Sequence, residues 1–153
     1  MDFLAHLVFG IWVSKRFNSF WGVILSTILD IDHPLGYMYD NWYKKLHFPK
    51  WQRIAYRPRS WFHSLTVLIF LTIFLSRFMN PKLVFISLAS HLLMDVIDVN
   101  GIYIFPPLMK KRIRGPLPVS YLWENPEKPT HRKKAHLPSI MIIILFSLLL
   151  LLE

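Results

Sequence analysis

The chain has 153 residues, of which 54% are hydrophobic and 16% aromatic, with a mean hydropathy of +0.36 and a formal net charge of +9. One domain of that size cannot hide so much apolar surface from water, which argues against a small soluble domain and for a membrane protein. Cysteine is absent, so disulfides and thiolate ligands are excluded and any metal must be held by nitrogen and oxygen.

In chain order, the hydrophobic runs predict five helices: 3–14, 17–31, 61–79, 82–97 and 138–152. The start, Met-Asp-Phe-Leu, lacks the basic segment of a cleavable signal peptide. Pro34 ends the second helix, because the residue before a proline is pushed out of the helical region. Asn80-Pro81 breaks the third from the fourth, and Asn100-Gly101 followed by Pro106-Pro107 stops the fourth. Each apolar run falls short of the ~20 residues that span a bilayer, so thin, tilted or partly interfacial helices are expected. The expected fold is all-α: an integral membrane bundle of about five helices with two long basic cytoplasmic loops, forming one domain over 1–153.

Charge orients this arrangement. The stretches 32–60 and 98–136 carry 14 of the 18 basic residues, and the tight turns carry only Lys15, Arg16, Arg77 and Lys82. The positive-inside rule puts the two long stretches in the cytoplasm of a multi-pass cell-membrane protein. The rival reading of such a charge is nucleic-acid binding, which the hydropathy makes the weaker one. The basic loops are also suited to membrane lipids with anionic head groups, or to a phosphorylated substrate.

Ionisable residues inside apolar sequence are expensive, and by default mark a functional site. Here they are His6, Asp30, Asp32, His33, His63, His91 and Asp95, and in a five-helix serpentine all of them fall on one side. His91 and Asp95 are four apart and share a helical face, with Asp98 on the same stripe. Asp30 and His33 are three apart, whereas Asp32 points away unless the helix has already unwound. His91 with Asp95 also reads as a buried hydrogen-bonded pair, and Asp32-His33-Pro34 as a simple helix stop. Taken together, the seven fit a divalent-metal site, with carboxylates and imidazoles suiting zinc first, then manganese or iron.

Four motifs carry a family resemblance. They are the early His6; Leu29-Asp30-Ile31-Asp32-His33; Pro58-Arg59-Ser60-Trp61-Phe62-His63-Ser64; and His91-Leu-Leu-Met-Asp95 with Gly101. In this order they resemble the membrane-bound metal-dependent hydrolases, small all-helical membrane proteins whose fold is thought akin to zinc-dependent phospholipase C. The resemblance covers residues 1 to about 107. Leu29 replaces a proline of the pattern, and Pro58 stands where the family has a further histidine.

The resemblance implies metal-assisted phosphoester hydrolysis. In that reading Asp30 or Asp32 takes the proton of a metal-bound water, and Arg59, four residues before His63, steadies a phosphate. Arg59 reads equally as a membrane-anchoring cation. Tyr37, Tyr39 and Trp42 suit either a lipid-facing mouth or an interfacial aromatic belt. Two other functions stay open: a metal-stabilised membrane protein without turnover, and a transporter. A transporter would need ionisable residues through the whole thickness, and the opposite helix ends have almost none.

Overall fold

The computed structural model describes residues 3–33, 61–97, 101–106, 109–116 and 137–152. Its order is α1 (Phe3–Phe17), α2 (Trp21–Thr27) running into a 3-10 turn (Ile28–Ile31), α3 (Leu65–Leu75), α4 (Pro81–Val96), strands β1 (Ile102–Phe105) and β2 (Met109–Ile113), and α5 (Leu137–Leu152).

Two expectations are corrected here. The described chain is mostly helical but not all-α, because β1 and β2 pair antiparallel with Ile102 opposite Ile113 and Tyr103 opposite Arg112. Ile102-Tyr-Ile-Phe105 is a β-branched and aromatic run, suited to a pleated surface rather than to a helix end. The spanning bundle also fails, since no helix among the described residues is long and apolar enough to cross a membrane. The longest have 16 residues, which at 1.5 Å per residue is about 24 Å, short of the ~30 Å hydrocarbon core.

The helices form where local chemistry allows. α1 buries Ala5, His6, Phe9, Gly10 and Val13, one stripe at helical spacing. It ends at Asn18, whose φ of 47° is the left-handed conformation asparagine tolerates at a helix C-terminus. Ser14 then accepts a hydrogen bond from the Val23 amide at 2.9 Å, serving a donor in the first turn of α2. α1 and α2 cross closely at Gly22, where a Cβ would stand 2.6 Å from the Ser14 nitrogen.

Ser64 caps α3 by accepting from the Val67 amide at 3.2 Å. Asn80 caps α4 by accepting from Lys82 at 2.9 Å, with Pro81 in the first turn. α4 is the central helix and buries Leu83, Val84, Ser87, Leu88, His91, Leu92, Met94 and Asp95 in successive pairs one turn apart. α5 packs on α1 through Phe146, whose ring lies 4.8 Å from Phe9 and 5.4 Å from Trp12. Lys15 reaches the C-terminus of α5 and donates to the Leu150 carbonyl at 3.0 Å.

Much of the apolar surface faces outward. α3 has no buried residue and exposes Ile69, Phe70, Ile73 and Phe74, while α5 exposes Ile144, Leu145, Leu148 and Leu151.

Candidate metal centre

The 3-10 turn after α2 decides the site. Asp30 lies in this turn and His33 just beyond it, three residues on, and their nearest side-chain atoms are 3.8 Å apart. The tightening also carries Asp32 inward, where it is buried. α1 supplies His6, the entry to α3 supplies His63, and α4 supplies His91 and Asp95. β1 fixes the third of these segments: the Tyr103 amide donates to the His63 carbonyl at 2.9 Å, and Ser64 bridges to Tyr103.

All seven expected residues therefore lie in one cluster. His6, His63 and His91 are wholly buried and Asp95 is 1% exposed, whereas the side chains of Asp30 and His33 are each 16% exposed. The resemblance's Arg59, together with Pro34, Tyr37, Tyr39, Trp42, Asp98 and most of the two basic stretches, lies outside the described residues.

Two histidines are oriented by acceptors behind them. The Nδ1–H of His91 donates to the Ser26 carbonyl at 2.7 Å, and that of His63 to Asp32 Oδ2 at 3.0 Å. Both rings therefore turn Nε2 toward the centre, as metal-ligating histidines do when an acceptor fixes the other nitrogen. The two Nε2 atoms stand 3.2 Å apart.

Asp30 Oδ1 lies 3.6 Å from each of them, and Asp95 Oδ2 lies 3.3 Å from His63 Nε2 and 3.4 Å from His91 Nε2. Tetrahedral ligands held ~2.0–2.2 Å from an ion stand ~3.3–3.6 Å from one another. Five of the six separations among these four atoms fall at 3.2–3.6 Å, near the range of such edges.

His6 stacks on His91 with ring centroids 3.8 Å apart, and its Nε2 is 3.4 Å from Asp95 Oδ1. Neither of its ring nitrogens makes a hydrogen bond. A wholly buried imidazole in that state is costly unless something else engages it.

The electrostatics also favour a cation. Burial opposes charge on His63, but its hydrogen bonds to Asp30 and Asp32, together with the charge of Asp95, outweigh that and raise its pKa to about 9. Burial and the neighbouring His91 lower His6 to about 4, so it is neutral at physiological pH. Burial opposes ionisation of Asp30, yet His91 and His63 hold it below the usual carboxylate range. A centre that draws a proton onto His63 is a centre arranged for positive charge.

Sequence reasoning missed two contributors, the Ser26 carbonyl and Tyr103, and took Gly101 only as part of a motif and a helix breaker. The Ser26 carbonyl leaves no mark in a sequence, although Ser26 interrupts an apolar run one turn before Asp30. Tyr103 and Gly101 belong to the hairpin. Gly101 takes φ 59°, and a Cβ there would meet the Ile113 carbonyl oxygen at 1.9 Å, so the close approach requires glycine. The Gly101 and Pro106-Pro107 breakers, flanking a β-branched run, were the available signal.

No curated protein and no solved structure matches the chain. A family model described as the YdjM inner membrane protein matches residues 1–152, and the chain belongs to that family.

Proposed function

We propose that the protein is a membrane-bound metal-dependent hydrolase acting on a phosphoester or lipid-like substrate at the cytoplasmic membrane face. The observation that carries the reading is the cage of acceptor atoms from His63, His91, Asp30 and Asp95, with edges of 3.2–3.6 Å. The residues fit zinc best, because imidazole and carboxylate donors at these separations suit it. The phosphoester class rests on the four-motif resemblance. Membrane attachment rests on the family and on the exposed apolar faces of α3 and α5.

A divalent ion held by these side chains would supply a Lewis acid and would lower the pKa of a water bound to it toward ~7. The protein's own groups do the rest. Asp32 and the Ser26 carbonyl hold His63 and His91 in the ligating orientation. Asp30 lies at the accessible side, and its Oδ2 makes no hydrogen bond to the protein. Burial of His6, His91 and Asp95 keeps bulk water from the inner side.

A second reading is favoured by one observation: His63, His91, Asp30 and Asp95 bring four protein donor atoms together, as many as a zinc ion takes. Structural zinc sites are closed in this way, whereas catalytic ones keep a position for water. Such a centre would fasten α2, α3 and α4 together without turnover.

The test is metal analysis of the full chain purified in detergent, followed by assays on soluble phosphoesters and phospholipids. Bound metal with metal-dependent turnover is the expected result. Stoichiometric metal with no turnover on either class would give the closed-site reading, and absence of metal would overturn both.

A further inference from the structure

We infer that the cluster holds two divalent cations side by side, an inner one on His6, His91 and Asp95 and an outer one on His33, His63 and Asp30. The inference rests on the metal-dependent reading above and deepens it.

One ion on those four atoms leaves His6 and His33 outside its ligand set. His6 is wholly buried with no hydrogen bond to either ring nitrogen, and it faces Asp95 Oδ1 at 3.4 Å. His33 Nε2 lies 3.8 Å from both Asp30 Oδ1 and Asp32 Oδ1, beside the four donor atoms. Both become ligands if the donor set divides.

The division is already present in the geometry. Within each of the two triplets, the ligand atoms lie inside 4.8 Å of one another. Each triplet is two histidines and one aspartate. Three protein ligands with the fourth position left to water is the pattern of catalytic zinc rather than of structural zinc.

The carboxylates are placed to serve both halves. Asp95 directs Oδ1 to His6 and Oδ2 to His91 and His63. Asp30 Oδ1 is equidistant, at 3.6 Å, from His63 of the outer triplet and His91 of the inner. The ring centroids of His63 and His91 are 5.2 Å apart. Two-metal hydrolytic sites hold their ions ~3.5–4 Å apart.

The two positions differ in access. The inner triplet is entirely buried, whereas His33 and Asp30 reach the surface at 16% each. The inner ion is therefore the slowly exchanging one, and the outer ion is the one that meets substrate and chelator.

The experiment loads the full-length protein in detergent with Zn²⁺, removes free metal and measures zinc per chain by elemental mass spectrometry. Two ions per chain are expected, with chelator release in a fast and a slow phase. His33→Ala should lower the count to one and abolish the fast phase. His6→Ala should also lower it to one and abolish the slow phase. If His6→Ala does not fold, His33→Ala decides alone, since its site is partly exposed.

One ion in the wild type, or an unchanged count in His33→Ala, overturns the inference. One ion together with metal-dependent turnover overturns it while leaving the hydrolase reading intact, and no ion overturns both.

Discussion

His63 and Asp32 are joined at 3.0 Å through Nδ1 and Oδ2, across 31 residues of chain, and the contact is buried. It fixes which face of the His63 ring looks into the cluster. Asp32→Asn keeps the size and an acceptor oxygen but removes the charge. It should weaken metal binding by about 10–100-fold without abolishing it, as for other partners standing behind a ligand. Competition with a zinc indicator measures this. A wild-type affinity would show that Asp32 does not set the orientation.

His91→Ala and Asp95→Ala should behave differently from that. Both residues face the centre and share one side of α4. Each variant should lose the inner ion, lowering the metal count to one per chain, and lose any phosphoester turnover with it. Full metal content in both would reduce the pair to a packing feature of the central helix. Circular dichroism of the metal-free proteins separates ligand loss from unfolding.

These four motifs were legible in the sequence because ionisable residues in apolar helices have few other uses. His91 and Asp95 were placed on one face by spacing alone. Asp32 was not, since a regular helix would turn it away, and only the 3-10 turn at Ile28–Ile31 brings it inward. The helix positions followed from hydropathy and breakers, but their lengths did not. Residues 61–64 read as apolar helix and instead form the turn and cap before α3. The strand pair is not legible because Gly101 and Pro106-Pro107 read as helix stops as readily as turn signals. The acceptor behind His91 is a backbone carbonyl, which no residue type encodes.

The metal-free protein should be most stable near pH 6.5. His63 has its pKa raised to about 9, so the stabilisation from its protonated form is complete below about 6.5 and fades as pH rises through about 9. His6 has its pKa lowered to about 4, so the unfolded chain takes up the extra proton first, and stability falls as pH drops from about 6.5 toward 4. Thermal unfolding in a chelator across pH 4–10 tests both limbs. Metal must displace the His63 proton, so zinc affinity should rise with pH between about 6.5 and 9 and then level off. Calorimetry in two buffers of different ionisation enthalpy should detect proton release near pH 7.5. A flat affinity across that window would remove His63 from the ligand set.

The crossing of α1 and α2 holds His6 against the turn that carries Asp30. Gly22→Ala would put a Cβ 2.6 Å from the Ser14 nitrogen, against backbone that cannot yield without moving α1. The expected cost is about 1–3 kcal/mol of stability, as for other overpacked interiors. Metal affinity should fall as well, because His6 lies two turns before Ser14 on the same helix. A variant that unfolds earlier but binds zinc normally would show that the crossing and the site are uncoupled.

The last prediction concerns the basic stretches. The sequences 32–60 and 98–136 hold 14 of the 18 basic residues. An inner membrane family whose cationic segments are so unevenly distributed should keep them on the cytoplasmic side, where the anionic leaflet attracts them. The chain has no cysteine, so a single introduced thiol is an unambiguous reporter. Asp40→Cys should resist a membrane-impermeant maleimide in cells whose inner membrane is intact, and react once that membrane is opened. Labelling before opening would place this stretch on the periplasmic side. It would also move the proposed site of hydrolysis there, since Asp32 and His33 begin the same stretch and belong to the cluster.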